Sequence, residues 1–129
     1  MLKLNIIHHI AIICSDYQKS KDFYTRILDL TIIRETFRAE RKSYKLDLAL
    51  NGRFIIELFS YANPPERVTN PEAAGLRHLA FEVDHIEDAC NYLKELGVSF
   101  EDARVDMLTG KRFIFFRDPD NLPLEFYEK

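Results

Sequence analysis

The chain has 129 residues, the common size of a single domain that buries one core. Its composition of 47% hydrophobic and 30% charged residues is ordinary for a globular protein and excludes a disordered or fibrous chain. The net charge of −3 lacks the basic surplus of a phosphate-backbone binder, so no nucleic-acid partner is expected.

The sequence predicts neither a membrane-spanning segment nor a secretory signal. Every apolar run is shorter than a membrane span, and residues 1–7 are too short and too interrupted for a secretory signal. We therefore expect a cytoplasmic protein that binds a small molecule and has no membrane partner.

In chain order, the first half predicts a β-α-β-β-β module. Asp16 follows an isoleucine-rich strand and can cap a helix, in which apolar residues recur at three- and four-residue spacing. Asn51-Gly52 supplies the positive φ angles of a tight hairpin turn, so the strands on either side should be antiparallel neighbours. The predicted elements are a strand over 6–14, a helix over 17–28, and strands over 30–37, 44–50 and 53–61.

The second half repeats that order of elements. Asp84 is expected to open its helix, and Gly97 to end it. The segment Asp118-Pro119-Asp120-Asn121 predicts a second hairpin turn. The predicted elements are a strand over 77–83, a helix from 85 or 86 to 96, and strands over 98–105, 112–117 and 122–127.

These patterns predict an α+β fold, in which two tandem β-α-β-β-β modules form a curved mixed sheet within a single domain. Between the halves, prolines and little periodicity indicate a connector that is not a domain of its own. Module 1 covers about 4–61, the connector 62–76, and module 2 about 77–129.

The two halves also match residue by residue. When the chain is aligned with itself, His9 falls on His78 and Glu57 falls on Glu125, each within similar apolar sequence. Side chains alternate along a strand, so His8 and His9 should point to opposite faces of the sheet, and the match selects His9. Helices must cover one face of each sheet, which should send His9 to the uncovered face.

A shared metal would explain these four residues. Glu57 and Glu125 interrupt apolar strands, where a carboxylate is costly without a partner. Two imidazoles and two carboxylates suit one divalent metal per site, and nickel, cobalt, zinc, manganese and iron all fit such a set. The alternatives are ordinary hydrogen-bonded strand histidines, or a duplicated site that has lost its metal. The predicted ligands are His9, Glu57, His78 and Glu125.

The same residues resemble the vicinal oxygen chelate superfamily, which includes glyoxalase I, fosfomycin-resistance proteins, bleomycin-binding proteins, methylmalonyl-CoA epimerase and extradiol dioxygenases. The resemblance covers essentially the whole chain and is greatest to a bacterial glyoxalase-like branch. It implies a homodimer, with the paired modules curled into a cleft around the metal, and the same four ligands. The motifs that carry it are His9-Ile-Ala-Ile, Phe54-Ile-Ile-Glu57, His78-Leu-Ala-Phe and Leu124-Glu125.

The resemblance further implies a metal-dependent lyase or isomerase that acts on a small vicinal-oxygen substrate through an enediolate-type intermediate. Glu125 is implied as the catalytic base, by its similarity to the mobile glutamate of glyoxalase I, and Glu57 is the alternative. Bacterial glyoxalase I usually carries an arginine four residues after its first histidine, where this chain has Ile13. A glutathione hemithioacetal is therefore not the expected substrate.

Two other functions remain open at this point: a metal-dependent thiol transferase of the fosfomycin-resistance type, and a non-catalytic module that sequesters a ligand, as bleomycin-binding proteins do. Asp47 shares its strand parity with Lys45 and is a candidate for the cleft face. The basic clusters Arg34, Arg38, Arg41, Lys42 and Arg104, Lys111, Arg112 are either solvated edges or an anion-attracting rim. The candidate substrate-binding residues are Asp47, Arg67, Lys111 and Arg112.

Overall fold

The computed structural model describes all residues from Met1 to Lys129. The chain divides into two compact units, unit 1 over Met1–Pro65 and unit 2 over Glu66–Lys129. Their boundary lies in the connector that the sequence predicts over 62–76. No helix in the structure combines the length and the apolar character that a membrane span requires.

Unit 1 is a mixed four-stranded sheet with the strand order β1-β4-β3-β2. Strand β1 runs parallel to β4, and the other neighbouring pairs are antiparallel. One face of the sheet carries the helix. The elements are β1 (Ile10–Cys14), α1 (Tyr17–Asp22) with a π-helical turn (Phe23–Ile27), β2 (Thr31–Arg38), a 3₁₀ turn (Ala39–Arg41), β3 (Ser43–Leu50) and β4 (Arg53–Ser60).

The helix of unit 1 begins where the sequence predicts. Asp16 is its N-cap and accepts a hydrogen bond from the Lys19 backbone N–H at 3.2 Å. Alternate residues in the middle of β3 and β4 are apolar and fully buried on the helix-covered face, and each such side chain contributes about 1.5–3 kcal/mol. This core includes Tyr24, Leu46, Leu48, Ile56 and Leu58.

The hairpin at Asn51-Gly52 is confirmed. Both residues have positive φ, +50° and +78°, and the flanking strands β3 and β4 are antiparallel neighbours. A register shift between Leu48 and Ala49 separates the turn from the pairs beyond it and places Asp47 directly across from Glu57. Both side chains project from the face that the helix does not cover.

Unit 2 has the same strand order, β5-β8-β7-β6, again with a single parallel pair, β5 and β8. Its helix buries Ile86, Ala89 and Leu93. The α+β fold of two β-α-β-β-β modules is thus confirmed, as two four-stranded sheets rather than one. The elements are β5 (Leu79–Val83), α2 (Ile86–Glu95), β6 (Arg104–Val105), β7 (Arg112–Arg117) and β8 (Pro123–Glu128).

The prediction that Asp84 caps α2 is wrong. His85 occupies the cap position and its side chain makes no capping hydrogen bond. The carboxylate of Glu128, at the end of β8, accepts the Ile86 backbone N–H at 2.9 Å instead. A residue distant in sequence therefore provides the negative charge that favours a helix N-terminus.

Two predicted strands are shorter than expected. The first begins at Ile10 instead of at residue 6, because the parallel ladder opens at the Ile10–Ile56 pair and β4 itself begins only at Arg53. The strand predicted over 98–105 reduces to Arg104–Val105 and an isolated bridge between Phe100 and Phe116. The pairing register differs between these two contacts, so the intervening residues do not continue the ladder.

Candidate metal centre

The first predicted pair, His9 and Glu57, comes together in unit 1. Glu57 pairs in register with Ala11 of β1, which places it beside the residue that precedes the strand. The His9 Nε2 atom lies 3.2 Å from Glu57 Oε1, and the side chains are 36% and 16% exposed. The backbone ladder therefore brings an imidazole and a carboxylate together on the uncovered face.

The second pair, His78 and Glu125, comes together in unit 2 in the same way. Glu125 pairs in register with Ala80 of β5. The His78 Nε2 atom lies 3.7 Å from Glu125 Oε1, and the side chains are 29% and 11% exposed. Glu125 is thus a largely buried carboxylate whose ionic contact is a single imidazole.

The second nitrogen of each imidazole also has a partner. Arg77 Nη1 lies 2.9 Å from His78 Nδ1, and His78 Nε2 is the atom that faces Glu125. The Nδ1 atoms of His8 and His9 lie 2.8 Å apart. The prediction that His8 and His9 point to opposite faces is therefore wrong, because both residues precede the first strand and alternation does not apply to them.

Charged side chains surround Glu57. Lys45 Nζ lies 3.2 Å from Glu57 Oε2 and 3.3 Å from Asp47 Oδ1, and Arg34 Nη2 lies 3.3 Å from Asp47 Oδ2. Burial alone would lower the pKa of Lys45, but its contacts with Glu57 and Asp47 outweigh burial and raise that pKa above its ordinary value. Asp47 is almost completely buried, and its Oδ1 contacts Lys45 as an ion pair without hydrogen-bond geometry.

Aromatic side chains surround Glu125 instead. Phe115 lies directly across from Glu125, at the position that Asp47 occupies in unit 1, and Phe113 stands where unit 1 has Lys45. The His78 ring meets Phe115 edge-on, with centroids 5.0 Å apart. No lysine or arginine lies within ion-pair distance of Glu125. The two carboxylates thus share a backbone position but have opposite surroundings.

Of the candidate substrate-binding residues, Asp47 lies beside the predicted ligand Glu57. Arg67 donates hydrogen bonds to the carbonyls of Leu76 and Arg77 and so braces the connector. The other two candidates contact the ends of the unit 2 sheet. Lys111 Nζ donates to the carbonyl of Lys129 at 2.7 Å, and Arg112 pairs with Glu87 at 3.5 Å and with Glu128 at 3.6 Å.

Sequence reasoning did not assign a site role to Lys45 or Phe115, and it named Arg34 only within a basic cluster that is either a solvated edge or an anion-attracting rim. A signal for Lys45 existed, because it shares its strand parity with Asp47. Phe115 carried none, since an aromatic residue in a strand is ordinarily part of the core.

The residues present fit a divalent metal. Their neutral imidazole nitrogens and carboxylate oxygens are the donors that nickel, cobalt, zinc, manganese and iron accept. Each pair also faces outward from the uncovered side of its sheet, with donor atoms 3.2 and 3.7 Å apart. No group of three or more histidine, cysteine, aspartate or glutamate side chains is placed to hold an ion, so the structure describes two separate histidine–glutamate pairs.

The family follows from comparison with known proteins. Residues 6–126 match the model of the Glyoxalase/Bleomycin resistance protein/Dioxygenase superfamily. The chain belongs to this superfamily. The resemblance that the short sequence motifs carry is therefore confirmed, and it extends over nearly the whole chain.

Bacterial relatives match the chain from end to end. It is 63% identical to the uncharacterized protein YwkD of Bacillus subtilis (strain 168), over 98% of each chain. It is 57% identical to the uncharacterized protein YaeR of Escherichia coli (strain K12), over 100% of each. A solved glyoxalase family protein from Enterococcus faecalis is 48% identical, with a TM-score of 0.89 over 95% of this chain and 97% of that one.

More distant relatives have named activities. Lactoylglutathione lyase of Escherichia coli O157:H7 is 29% identical, over 94% of this chain and 90% of that protein. A glutamate-to-glutamine mutant of the fosfomycin resistance protein FosX from Listeria monocytogenes, solved with Mn(II) and 1S,2S-dihydroxypropylphosphonic acid, is 22% identical with a TM-score of 0.76, over 98% of this chain and 94% of that one. At that identity the likeness to FosX shows the fold alone. The superfamily thus includes metal-dependent enzymes, without assigning an activity to this chain.

Proposed function

We propose that the protein is a divalent-metal-dependent lyase or isomerase that acts on a small substrate with vicinal oxygens. His9, Glu57, His78 and Glu125 would hold the metal, one ion to each set of four. The observation that carries the proposal is the recurrence of a histidine–glutamate pair at equivalent positions of two sheets, each on the uncovered face. When bound, the metal supplies a Lewis acid that stabilises negative charge developing on substrate oxygens.

Glu125 is the better candidate for the base that moves a proton. Its ionic contact is His78 at 3.7 Å, and aromatic rings form the wall beside it, so its carboxylate is free to turn toward a substrate. Glu57 is anchored at 3.2 Å by Lys45 and at 3.2 Å by His9. The two glutamates therefore divide their roles: Glu57 stays in place, and Glu125 accepts the proton.

The proposed reaction moves one proton between two neighbouring carbons of the substrate. Glu125 removes a proton from a carbon next to a carbonyl, and the electron pair of the broken C–H bond stays on the substrate. Returning the proton to the neighbouring carbon completes an isomerisation without an external oxidant or reductant. The rings of Phe113 and Phe115, with the Arg104 guanidinium over them at 5.1 and 5.5 Å from their centroids, limit the access of water to this carboxylate.

The substrate differs from the glutathione hemithioacetal of lactoylglutathione lyase. Ile13 shares the strand parity of Ala11, which pairs with Glu57, and its side chain is exposed on that face. An exposed isoleucine cannot bind the carboxylates of a glutathione conjugate. The proposed activity therefore differs in its substrate from that of lactoylglutathione lyase, to which the chain is 29% identical.

A homodimer is part of the proposal. Large apolar side chains stand exposed along the first residues and on β2, more than a lone chain would ordinarily leave in water. In a symmetric dimer, a second copy of this chain would cover these side chains. These exposed residues are Leu2, Leu4, Ile6, Ile7, Ile32, Ile33 and Phe37.

The proposal is tested by metal uptake and turnover together. Glu125→Gln keeps an oxygen donor but cannot accept the proton, so it should retain most of the metal while losing turnover across a panel of vicinal-oxygen substrates. Glu95→Gln, an exposed glutamate at the end of α2, is the matched control and should change neither. A Glu125→Gln variant with full activity would refute the assignment of the base.

Other outcomes separate the competing functions. Thiol addition to an electrophilic substrate, without isomerase activity, would favour a transferase of the fosfomycin-resistance type. A protein that takes up none of the five metals yet binds a ligand tightly would favour sequestration. Either result would replace the proposed reaction.

A further inference from the structure

A second cluster of polar side chains lies on the same face of unit 1, away from Glu57. We call Arg38, Arg41 and Tyr61 the distal cluster. Tyr61 follows β4 with the parity of Glu57, and Arg38 ends β2 across from Ser43, which shares the parity of Asp47. A strand advances about 3.3 Å per residue, so the four residues from Glu57 to Tyr61 span roughly 13 Å.

The guanidinium groups of the distal cluster have no carboxylate partner. Neither Arg38 nor Arg41 has an acidic oxygen within 4.0 Å, although Glu40 stands between them in sequence. Elsewhere in unit 1, acidic partners neutralise Lys21, Arg26, Arg34 and Lys45. Both guanidinium groups contact the Tyr61 hydroxyl, so their positive charges lie near each other without an anion, and an incoming anion would relieve their repulsion.

Arg38 is held in place with a donor unused. Its Nη2 donates to Ser43 Oγ at 3.0 Å, and its guanidinium lies over the Phe59 ring, 4.8 Å from the centroid. Its Nε is buried and has no hydrogen-bond partner. A buried donor without an acceptor is costly, so the position of Arg38 has a cost that a bound acceptor would remove.

Tyr61 completes the cluster. Hydrogen bonding from Arg38, opposed by burial and assisted by Arg41, lowers the pKa of the Tyr61 hydroxyl. Its ring stacks with Phe59, with centroids 6.4 Å apart and an interplanar angle of 22°. A phenol oxygen that accepts from two guanidinium groups keeps its own O–H proton available for donation.

We propose that the distal cluster binds an oxyanion group of the substrate, a phosphate or a carboxylate. Planar guanidinium groups and a phenol O–H are the donors that recognise such oxygens. This inference rests on the proposed function, because it assigns a binding site to the other end of the same substrate. The substrate class is then an elongated anionic metabolite, with its reacting oxygens beside His9 and Glu57 and its charged group at the distal cluster.

The test is a titration of the metal-free full-length protein, stripped with EDTA that is then removed by dialysis, with inorganic phosphate and separately with acetate at constant ionic strength. Backbone amide resonances of residues 38–43 and of Tyr61 report binding by NMR. Saturable shifts with one of the two probes are expected, and the probe that binds identifies the anion. Arg41→Gln, an exposed substitution that leaves the core intact, should weaken that binding about tenfold or more.

Lys42→Gln is the matched control, because it removes the same charge from the neighbouring residue and should change the affinity less than threefold. Tyr61→Phe should weaken binding while the amide spectrum of the sheet stays unchanged. Absence of saturable shifts with both probes would overturn the proposal, as would equal losses in Arg41→Gln and Lys42→Gln. Since the titration uses metal-free protein, failure of the metal chemistry would leave its result intact, and the two failures are distinguishable.

Discussion

Lys45 Nζ lies 3.2 Å from Glu57 Oε2, whereas at the equivalent position in the other sheet Phe113 leaves Glu125 without a cation. This single difference makes two carboxylates at matching backbone positions chemically unequal. A lysine between two acids fixes one glutamate, and an aromatic wall leaves the other free to move.

Removing Lys45 should destabilise unit 1. Lys45→Met removes the cation that Asp47 and Glu57 share and leaves Asp47 with the exposed Arg34 and Glu57 with His9, and we expect a loss of about 1–3 kcal/mol in the free energy of unfolding. Urea denaturation of the EDTA-treated protein at pH 7 measures it. Arg34→Met is the control: its side chain is 68% exposed, so its pair with Asp47 should contribute less than about 1 kcal/mol. Equal losses in the two variants would contradict this role of Lys45.

Glu128 should make part of the stability depend on pH. The Ile86 backbone N–H that it accepts, helped by Arg112, holds the pKa of Glu128 below its ordinary value of 4.5. For a lowered folded-state pKa, the stabilisation is present above the unfolded value and is lost as pH falls through the folded value. Glu128→Gln should therefore lower the urea midpoint at pH 7 and lower it less at pH 3.

Glu95→Gln controls for the general effect of removing a carboxylate from the surface of unit 2. It should show the same midpoint as the parent protein at both pH values, because the Glu95 side chain is exposed and forms no ion pair. A Glu128→Gln deficit that persists in full at pH 3 would show that packing, not charge, accounts for the loss.

Mixing two inactive chains should reveal whether one chain or two build each metal site. The first chain carries His9→Ala with Glu57→Ala, and the second carries His78→Ala with Glu125→Ala. If a dimer shares its sites, a mixed dimer keeps one intact set of four ligands, and refolding the two chains together should restore about a quarter of the parental metal content. If each chain builds its own site, no metal returns. Parental metal content in either variant alone would refute the ligand assignment.

Much of the fold could be predicted from local patterns. Asn51-Gly52 fixes a hairpin because few residue pairs accept two positive φ values, and the strand over 112–117 was predicted with its observed bounds. The strand expected from residue 6 was too long, because its end depends on where its neighbour begins. Glu128 could not be predicted to cap α2, since that contact joins residues 42 positions apart.

Part of the candidate site could likewise be predicted from local patterns, and part could not. Alignment of the chain with itself was enough to predict that His9 lies near Glu57 and His78 lies near Glu125, because equivalent positions in matching modules share a face of the sheet. The contact between Lys45 and Glu57 depends on the register of two strands, which the alternation within one strand does not specify.

The metal content of purified protein tests the central claim most directly. Elemental analysis after growth in metal-replete medium should give one divalent ion per set of four ligands. His9→Ala, Glu57→Ala, His78→Ala and Glu125→Ala should each lower the metal affinity about tenfold or more, while Glu95→Ala keeps the parental value. A parental protein that takes up no nickel, cobalt, zinc, manganese or iron, or four folded variants that all retain parental affinity, would contradict the account.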